Sequence, residues 1–157
     1  MSTDFSLITC TQKTPKYLIQ QIEQFLQNEQ IDYAIELQKS SWWFETNSKI
    51  LDGGLLLQIE AYPEVVQNLK YFYDIQLVDS VYTIWTEQKS RRISSQYIQC
   101  IFNLTWKMVQ ANTNDFALDM NNNVILRRHK NQLQVKPKFL KYLAGKVDLT
   151  YVILECD

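Results

Sequence analysis

Apolar residues recur along this chain with two periods, and the switches between them outline its elements. Phe5 to Thr11 predicts an opening strand. Thr14-Pro15 then signals a helix start, a capping residue followed by proline at the first helical position. Leu18, Ile22, Phe25 and Leu26 fall on one face of that helix, which should end near Asn28 to Gln30. Tyr33, Ile35 and Leu37 alternate with more polar neighbours and suit a second strand. Ser40-Ser41-Trp42-Trp43-Phe44 fits neither period clearly. Asp52-Gly53-Gly54 has the composition of a turn. Leu55, Leu57, Ile59 and Ala61 then alternate with Leu56, Gln58 and Glu60, as in a half-buried antiparallel strand.

Pro63 opens a short helix through Val66, Leu69, Phe72 and Tyr73. Ile75 to Thr86 is the longest β-like stretch, and its parity changes at Asp79-Ser80, where a bulge or bend is expected. Ser94 or Ser95 caps a helix carrying Tyr97, Ile101, Leu104 and Met108, with Ile98, Phe102 and Val109 widening the stripe. Phe116, Leu118 and Met120 lead into Asn121-Asn122-Asn123, and Val124 to Leu126 leave it, which predicts a hairpin because Asn tolerates positive φ. Leu133 and Val135 offer a short strand. Pro137 starts a short helix that Gly145 stops, and Tyr151 to Leu154 reads as a final strand covered on both faces. The order β-α-β-β-α-β-α-β-β-β-α-β predicts a single α+β domain over 1–157, a mostly antiparallel sheet with helices packed on one face.

Composition narrows the function classes. The chain has 157 residues, 46% hydrophobic, with one histidine (His129), three glycines and three prolines. A multi-histidine metal site or a glycine-rich phosphate cradle cannot be built from this set. The sequence contains no GxSxG, GxxxxGK[ST] or GxGxxG pattern. Cys10, Cys100 and Cys156 are spread apart without a CxxC pair, so three reduced core cysteines are expected, with no metal and no cofactor. The first ten residues lack the basic and long apolar regions of a secretory signal, and the longest apolar runs fall far short of the roughly 20 residues a bilayer span needs, so a soluble cytoplasmic protein is expected.

Net charge is −1, but it is unevenly distributed. Residues 1–80 hold eleven acids and five bases, and residues 81–157 hold six acids and eleven bases. From Arg127 through Lys146 there are seven bases and no acid. One reading is an acidic side that meets a cationic partner. Another uses Arg127, Arg128, Lys130, Lys136, Lys138 and Lys141 as a phosphate-tracking strip, with Phe139 or Tyr142 as stacking platforms. A third is that folding interleaves the charges. His129 lies among cations in Arg127-Arg128-His129-Lys130, and a solvated surface histidine is expected there. The carboxylate pairs Glu60/Glu64 and Asp115/Asp119 could serve a carboxylate-dependent enzyme, but without a further acid at motif spacing each is expected on a solvated face.

Residues 115–128 read Asp-Phe-Ala-Leu-Asp-Met-Asn-Asn-Asn-Val-Ile-Leu-Arg-Arg. This segment resembles the signature hairpin of the Sit-type immunity proteins, small bacterial proteins that protect a cell from toxins delivered by its kin. Asp115, Leu118, Asn121, Leu126 and Arg128 match that pattern; Asn122 stands where Gly is usual and Asn123 where Glu is usual. The element order over residues 5–135, including the aromatic-plus-Asp step Phe72-Tyr73-Asp74-Ile75, agrees with it. The resemblance implies a non-enzymatic inhibitor in the cytoplasm whose partner is a cognate toxin domain. Adjacent tryptophans in a strand point to opposite faces, and tryptophan anchors are enriched at binding hot spots. Trp42, Trp43 and Asp52 are therefore the expected partner contacts.

Overall fold

The structure is a computed structural model that describes residues 4–77, 80–89, 93–147 and the backbone of 152–153. Its elements are β1 (Asp4–Thr11), α1 (Pro15–Asn28), β2 (Asp32–Gln38), β3 (Ser41–Asn47), β4 (Asp52–Glu60), α2 (Pro63–Tyr73), β5 (Ser80–Gln88), α3 (Ser95–Val109), β6 (Phe116–Met120), β7 (Asn123–His129), β8 (Gln132–Val135), a 3-10 helix (Pro137–Leu143) and β9 (Val152–Ile153). The strands form one sheet in the order β2-β3-β4-β5-β1-β6-β7-β8-β9. Every neighbouring pair is antiparallel except β8 with β9. This is the expected α+β architecture with its mostly antiparallel sheet.

Strand parity decides what each face of the sheet meets. Phe5 and Leu7 of β1, Phe44 of β3, Leu55 and Leu57 of β4 and Ile84 of β5 point to one face. There they meet Leu18, Ile22, Phe25 and Leu26 of α1 and the Tyr97–Ile101–Leu104–Met108 stripe of α3. Each fully buried aliphatic or aromatic side chain in this layer contributes about 1.5–3 kcal/mol. The helix starts follow the local chemistry. The Thr14 hydroxyl accepts from the Tyr17 N–H at 3.2 Å, and the Ser94 hydroxyl from the Tyr97 N–H at 3.0 Å. Phe102 stacks on Phe139, which with Tyr142 and Leu143 brings the 3-10 helix onto the same core.

Ile8 and Cys10 of β1, Val81 of β5 and Ala117 of β6 point to the reverse face. Among the described residues α2 alone of the helices lies there, opposite α1 and α3 and not on the one face expected for all helices. With the segment after it, α2 contributes Val66, Leu69, Tyr73, Ile75 and Leu77 to a second, smaller cluster. The rest of the reverse face, from β2 to the start of β1, carries no helix among the described residues.

Three local readings change. Asp52-Gly53-Gly54 is the first part of β4, not a turn. The chain reverses earlier, where the Ser48 hydroxyl accepts from the N–H groups of Ile50 and Leu51. The glycines make room inside the sheet: a Cβ on Gly53 (φ 153°) would lie 2.1 Å from the Glu87 carbonyl oxygen, and one on Gly54 2.3 Å from the Trp43 ring. Ser41 to Phe44 belongs to strand β3. Ile75 and Leu77 are buried but not in a strand, because their side chains fill the cluster under α2, and β5 begins only at Ser80. The bend expected at Asp79-Ser80 begins outside the described residues. The Asn hairpin is as expected, with Asn121 (φ 51°) and Asn122 (φ 69°) forming its two-residue turn. Cys10 and Cys100 are buried and free, with burial pushing the Cys100 thiol up to about 12; Cys156 lies outside the described residues.

Candidate functional site

The uncovered part of the reverse face has a distinctive composition. Register places Glu36, Trp43, Leu56, Trp85 and Ser6 in one row across β2, β3, β4, β5 and β1. The next row on the same face runs Ala34, Glu45, Gly54, Glu87 and Asp4, and the row beyond it contains Asp32, Asn47 and Asp52. Six carboxylates therefore share this surface with two indoles and a leucine. Trp43 and Trp85 lie 6.5 Å apart with their rings inclined by 36°, and both are half-buried. Gly54 lets the Trp43 indole lie down on the sheet, because any side chain there would meet the ring. Lys89 bridges to Glu45 at 3.9 Å and is a base on this face among the described residues.

The expected partner contacts divide. Trp43 and Asp52 are on this open face, four residue positions apart along the strands, or about 13 Å. Trp42 points to the opposite face and packs against the main core. The adjacent tryptophans do point to opposite sides, so the three residues do not form one surface. Sequence reasoning missed Trp85, Leu56, Glu45 and Glu87. The available signal was parity: Trp85 and Glu87 alternate with the buried Ile84 and Thr86.

The hairpin of β6 and β7 holds a different arrangement. Asp115 and Asp119, expected on a solvated face, are 8% and 3% exposed. Asp115 accepts from the backbone N–H of Gln76 (2.9 Å) and of Lys130 (3.1 Å) and from His129 Nδ1 (2.6 Å). Asp119 accepts from the Tyr73 hydroxyl. Burial raises the Asp119 carboxyl above the usual range, while the Tyr73 hydroxyl and the Asn122 N–H oppose the shift. Arg127 donates to Gln134 Oε1 (2.6 and 2.9 Å) and to the Tyr73 carbonyl (3.2 Å). These bonds fasten the end of α2 to β6 and β7.

His129 is therefore not a freely solvated histidine: folding brings a buried acid to it from 14 residues away. The reason is the hairpin itself, which lays the end of β7 beside the residue preceding β6. A His–Asp pair can do acid–base chemistry, but here Asp115 is already committed to two backbone groups. Arg128 is also internal. Its Nε donates to the Asn114 carbonyl at 2.8 Å and its Nη2 to the Val109 carbonyl at 3.1 Å, at the end of α3, and its guanidinium lies 5.1 Å from the Phe116 ring centre. Glu60 ends β4 and Glu64 sits in the first turn of α2.

The basic strip loses its supposed platforms. Phe139 and Tyr142 are 3% and 6% exposed, with Lys138 and Lys141 lying over their rings. A cleft of about 360 Å³ opens where β1 ends between α1 and α3, lined by Lys13, Lys107, Tyr82 and amide side chains, with no carboxylate or histidine in its wall. Among the described residues there is no cluster of three potential metal ligands, and no helix is long and apolar enough to cross a membrane. No family model, curated protein or solved structure matches the chain.

Proposed function

We propose that this chain is a non-enzymatic cytoplasmic immunity protein that binds and neutralises a toxin domain of cationic surface. The observation that carries the reading is the open sheet face, where Trp43, Trp85 and Leu56 lie among Asp4, Asp32, Glu36, Glu45, Asp52 and Glu87. Half-buried indoles on a rigid sheet supply contact area at little entropic cost, and the surrounding acids steer a basic partner and fix its orientation. A nuclease domain, whose surface must attract polyanionic nucleic acid, has the complementary charge. The signature hairpin supports the same reading differently. Its Asp115 holds the segment after α2 and its Arg128 the end of α3, so the motif builds the scaffold instead of touching the partner.

The test is co-expression with the product of the adjoining reading frame, which this reading expects to be a toxin with a basic domain. Expected are rescue of growth, a complex that survives purification, and binding that weakens as salt rises. Trp43→Ala and Trp85→Ala should each weaken binding at least tenfold while leaving the fold intact. The absence of both rescue and complex overturns the proposal. A complex unaffected by either tryptophan overturns the assigned face.

A further inference from the structure

β2 ends the sheet, and among the described residues no strand pairs with its outer edge. Its seven residues contain no lysine, proline or bulge to blunt the edge, and its two acids, Asp32 and Glu36, stand on the face opposite its apolar side chains. Ile35 and Leu37 are 40% and 66% exposed. Gln38 and Ser41 flank the two-residue turn into β3, so they form a hydrogen-bonded pair. Alternation then commits the backbone groups of Glu36, Ala34 and Asp32 to β3 and turns those of Tyr33, Ile35 and Leu37 outward. The three outward-bonding residues are also the three whose side chains share one face, the apolar one.

We infer that β2 docks antiparallel against β2 of a second copy of this chain, with the two-fold axis at Ile35. This register sets Ile35 opposite Ile35 and Leu37 opposite Tyr33, forming six backbone hydrogen bonds and one continuous apolar strip. It pairs all seven residues. It sets Glu36 opposite Ala34 and Asp32 opposite Gln38, and it leaves Lys39 one position beyond Asp32 of the other copy. Charge disfavours the neighbouring same-face registers: centring on Ala34 opposes Asp32 to Glu36, and centring on Glu36 opposes that acid to itself. A seven-residue strand pair with three side chains a side lies below the area of a permanent interface, so the dimer is reversible and concentration-dependent. It leaves the Trp43–Trp85 face uncovered and is independent of the function proposed above.

Sedimentation equilibrium of the full chain, from micromolar to near-millimolar concentration, tests this. Expected is a monomer–dimer transition, displaced at least tenfold toward monomer by Ile35→Lys and by Leu37→Lys, with unfolding curves unchanged because both side chains are exposed. A cysteine reads the register directly. In a Cys156→Ser background, Ile35→Cys should cross-link to a covalent dimer under copper–phenanthroline oxidation, because residues at the axis lie about 5.5 Å apart between Cα atoms. Leu37→Cys, which faces Tyr33, should cross-link far less. A chain that stays monomeric throughout, a dimer indifferent to both lysines, or equal cross-linking by the two cysteines overturns the inference.

Discussion

Removing the Tyr73 hydroxyl should destabilise the protein, and more at neutral pH than at acid pH. Tyr73 is 7% exposed, and its hydroxyl donates to Asp119, which is 3% exposed. The Asn122 N–H is the other donor acting on this carboxylate. In Tyr73→Phe the charged form keeps that backbone donor and loses the phenol. A buried acceptor left short of a partner costs about 1–3 kcal/mol, or roughly 2–12 °C in Tm for a chain of this size. The pH dependence follows from protonation. Burial already raises the folded-state carboxyl above its unfolded value, so the folded protein binds the extra proton. This group's contribution to stability therefore falls as pH rises from the ordinary Asp range through the raised value. The phenol opposes that shift, so its removal raises the folded value further and steepens the fall. Asp119→Asn cannot ionise and still offers an oxygen to Tyr73, so it should gain on the native protein between pH 4.5 and pH 7.5. Urea unfolding followed by circular dichroism at these two pH values measures both differences. A Tyr73→Phe loss equal at the two pH values, or an Asp119→Asn variant that falls further behind at neutral pH, refutes the reasoning.

Asp115→Ala removes the acceptor for Gln76, Lys130 and His129; a loss of roughly 2–4 kcal/mol is expected, with faster amide exchange at Gln76 and Lys130. Gly54→Ala places a methyl group 2.3 Å from the Trp43 ring and 2.7 Å from the Phe44 carbonyl oxygen. It should displace the indole, shift the tryptophan emission and cost about 1–3 kcal/mol in urea unfolding. The two turn asparagines should respond with opposite signs. Asn122→Gly relieves a positive φ and should stabilise by about 0.5 kcal/mol. Asn121→Gly gains the same relief but loses the bond from the Asp4 N–H to Asn121 Oδ1 (3.0 Å), worth about 1 kcal/mol, and should destabilise by about 0.5 kcal/mol; thermal melts compare the two directly.

The elements were largely legible because they obey local rules. Pro15, Ser94 and the Asn121–Asn122 turn each act through their own backbone, and the stripes of α1 and α3 have one strong period. What local rules could not supply is the identity of the neighbour. Gly53 and Gly54 carry the composition of a turn, yet their use is to admit Glu87 from β5 and Trp43 from β3, neither adjacent in sequence. Asp115 and Asp119 share their parity with the small Ala117, and the return of α2 and the segment after it to that face brings Tyr73 and Gln76 onto them. His129 reads differently in sequence and in space for the same reason: its sequence neighbours are cations, while its spatial neighbour is an acid.

The charge asymmetry shows how far sequence segregation survives folding. The basic second half is largely dispersed in purpose: Arg127 holds the end of α2, Arg128 closes the end of α3, and Lys138 and Lys141 cover aromatic rings. Part of the acidic first half stays together. Asp32, Glu36, Glu45 and Asp52 lie on consecutive antiparallel strands at one parity, and β1 and β5 add Asp4 and Glu87 to the same face. Antiparallel hairpins convert alternation in sequence into a shared surface, so acids at matching parity accumulate where helices do not cover them. Like charges so gathered repel one another, and a fold that keeps them together around two half-buried indoles carries a cost that a cationic partner removes. That repulsion gives the acidic face its own measurable consequence. Neutralising Glu45 or Glu87 to Gln should leave stability unchanged or slightly raised, while slowing association with a basic partner at low salt.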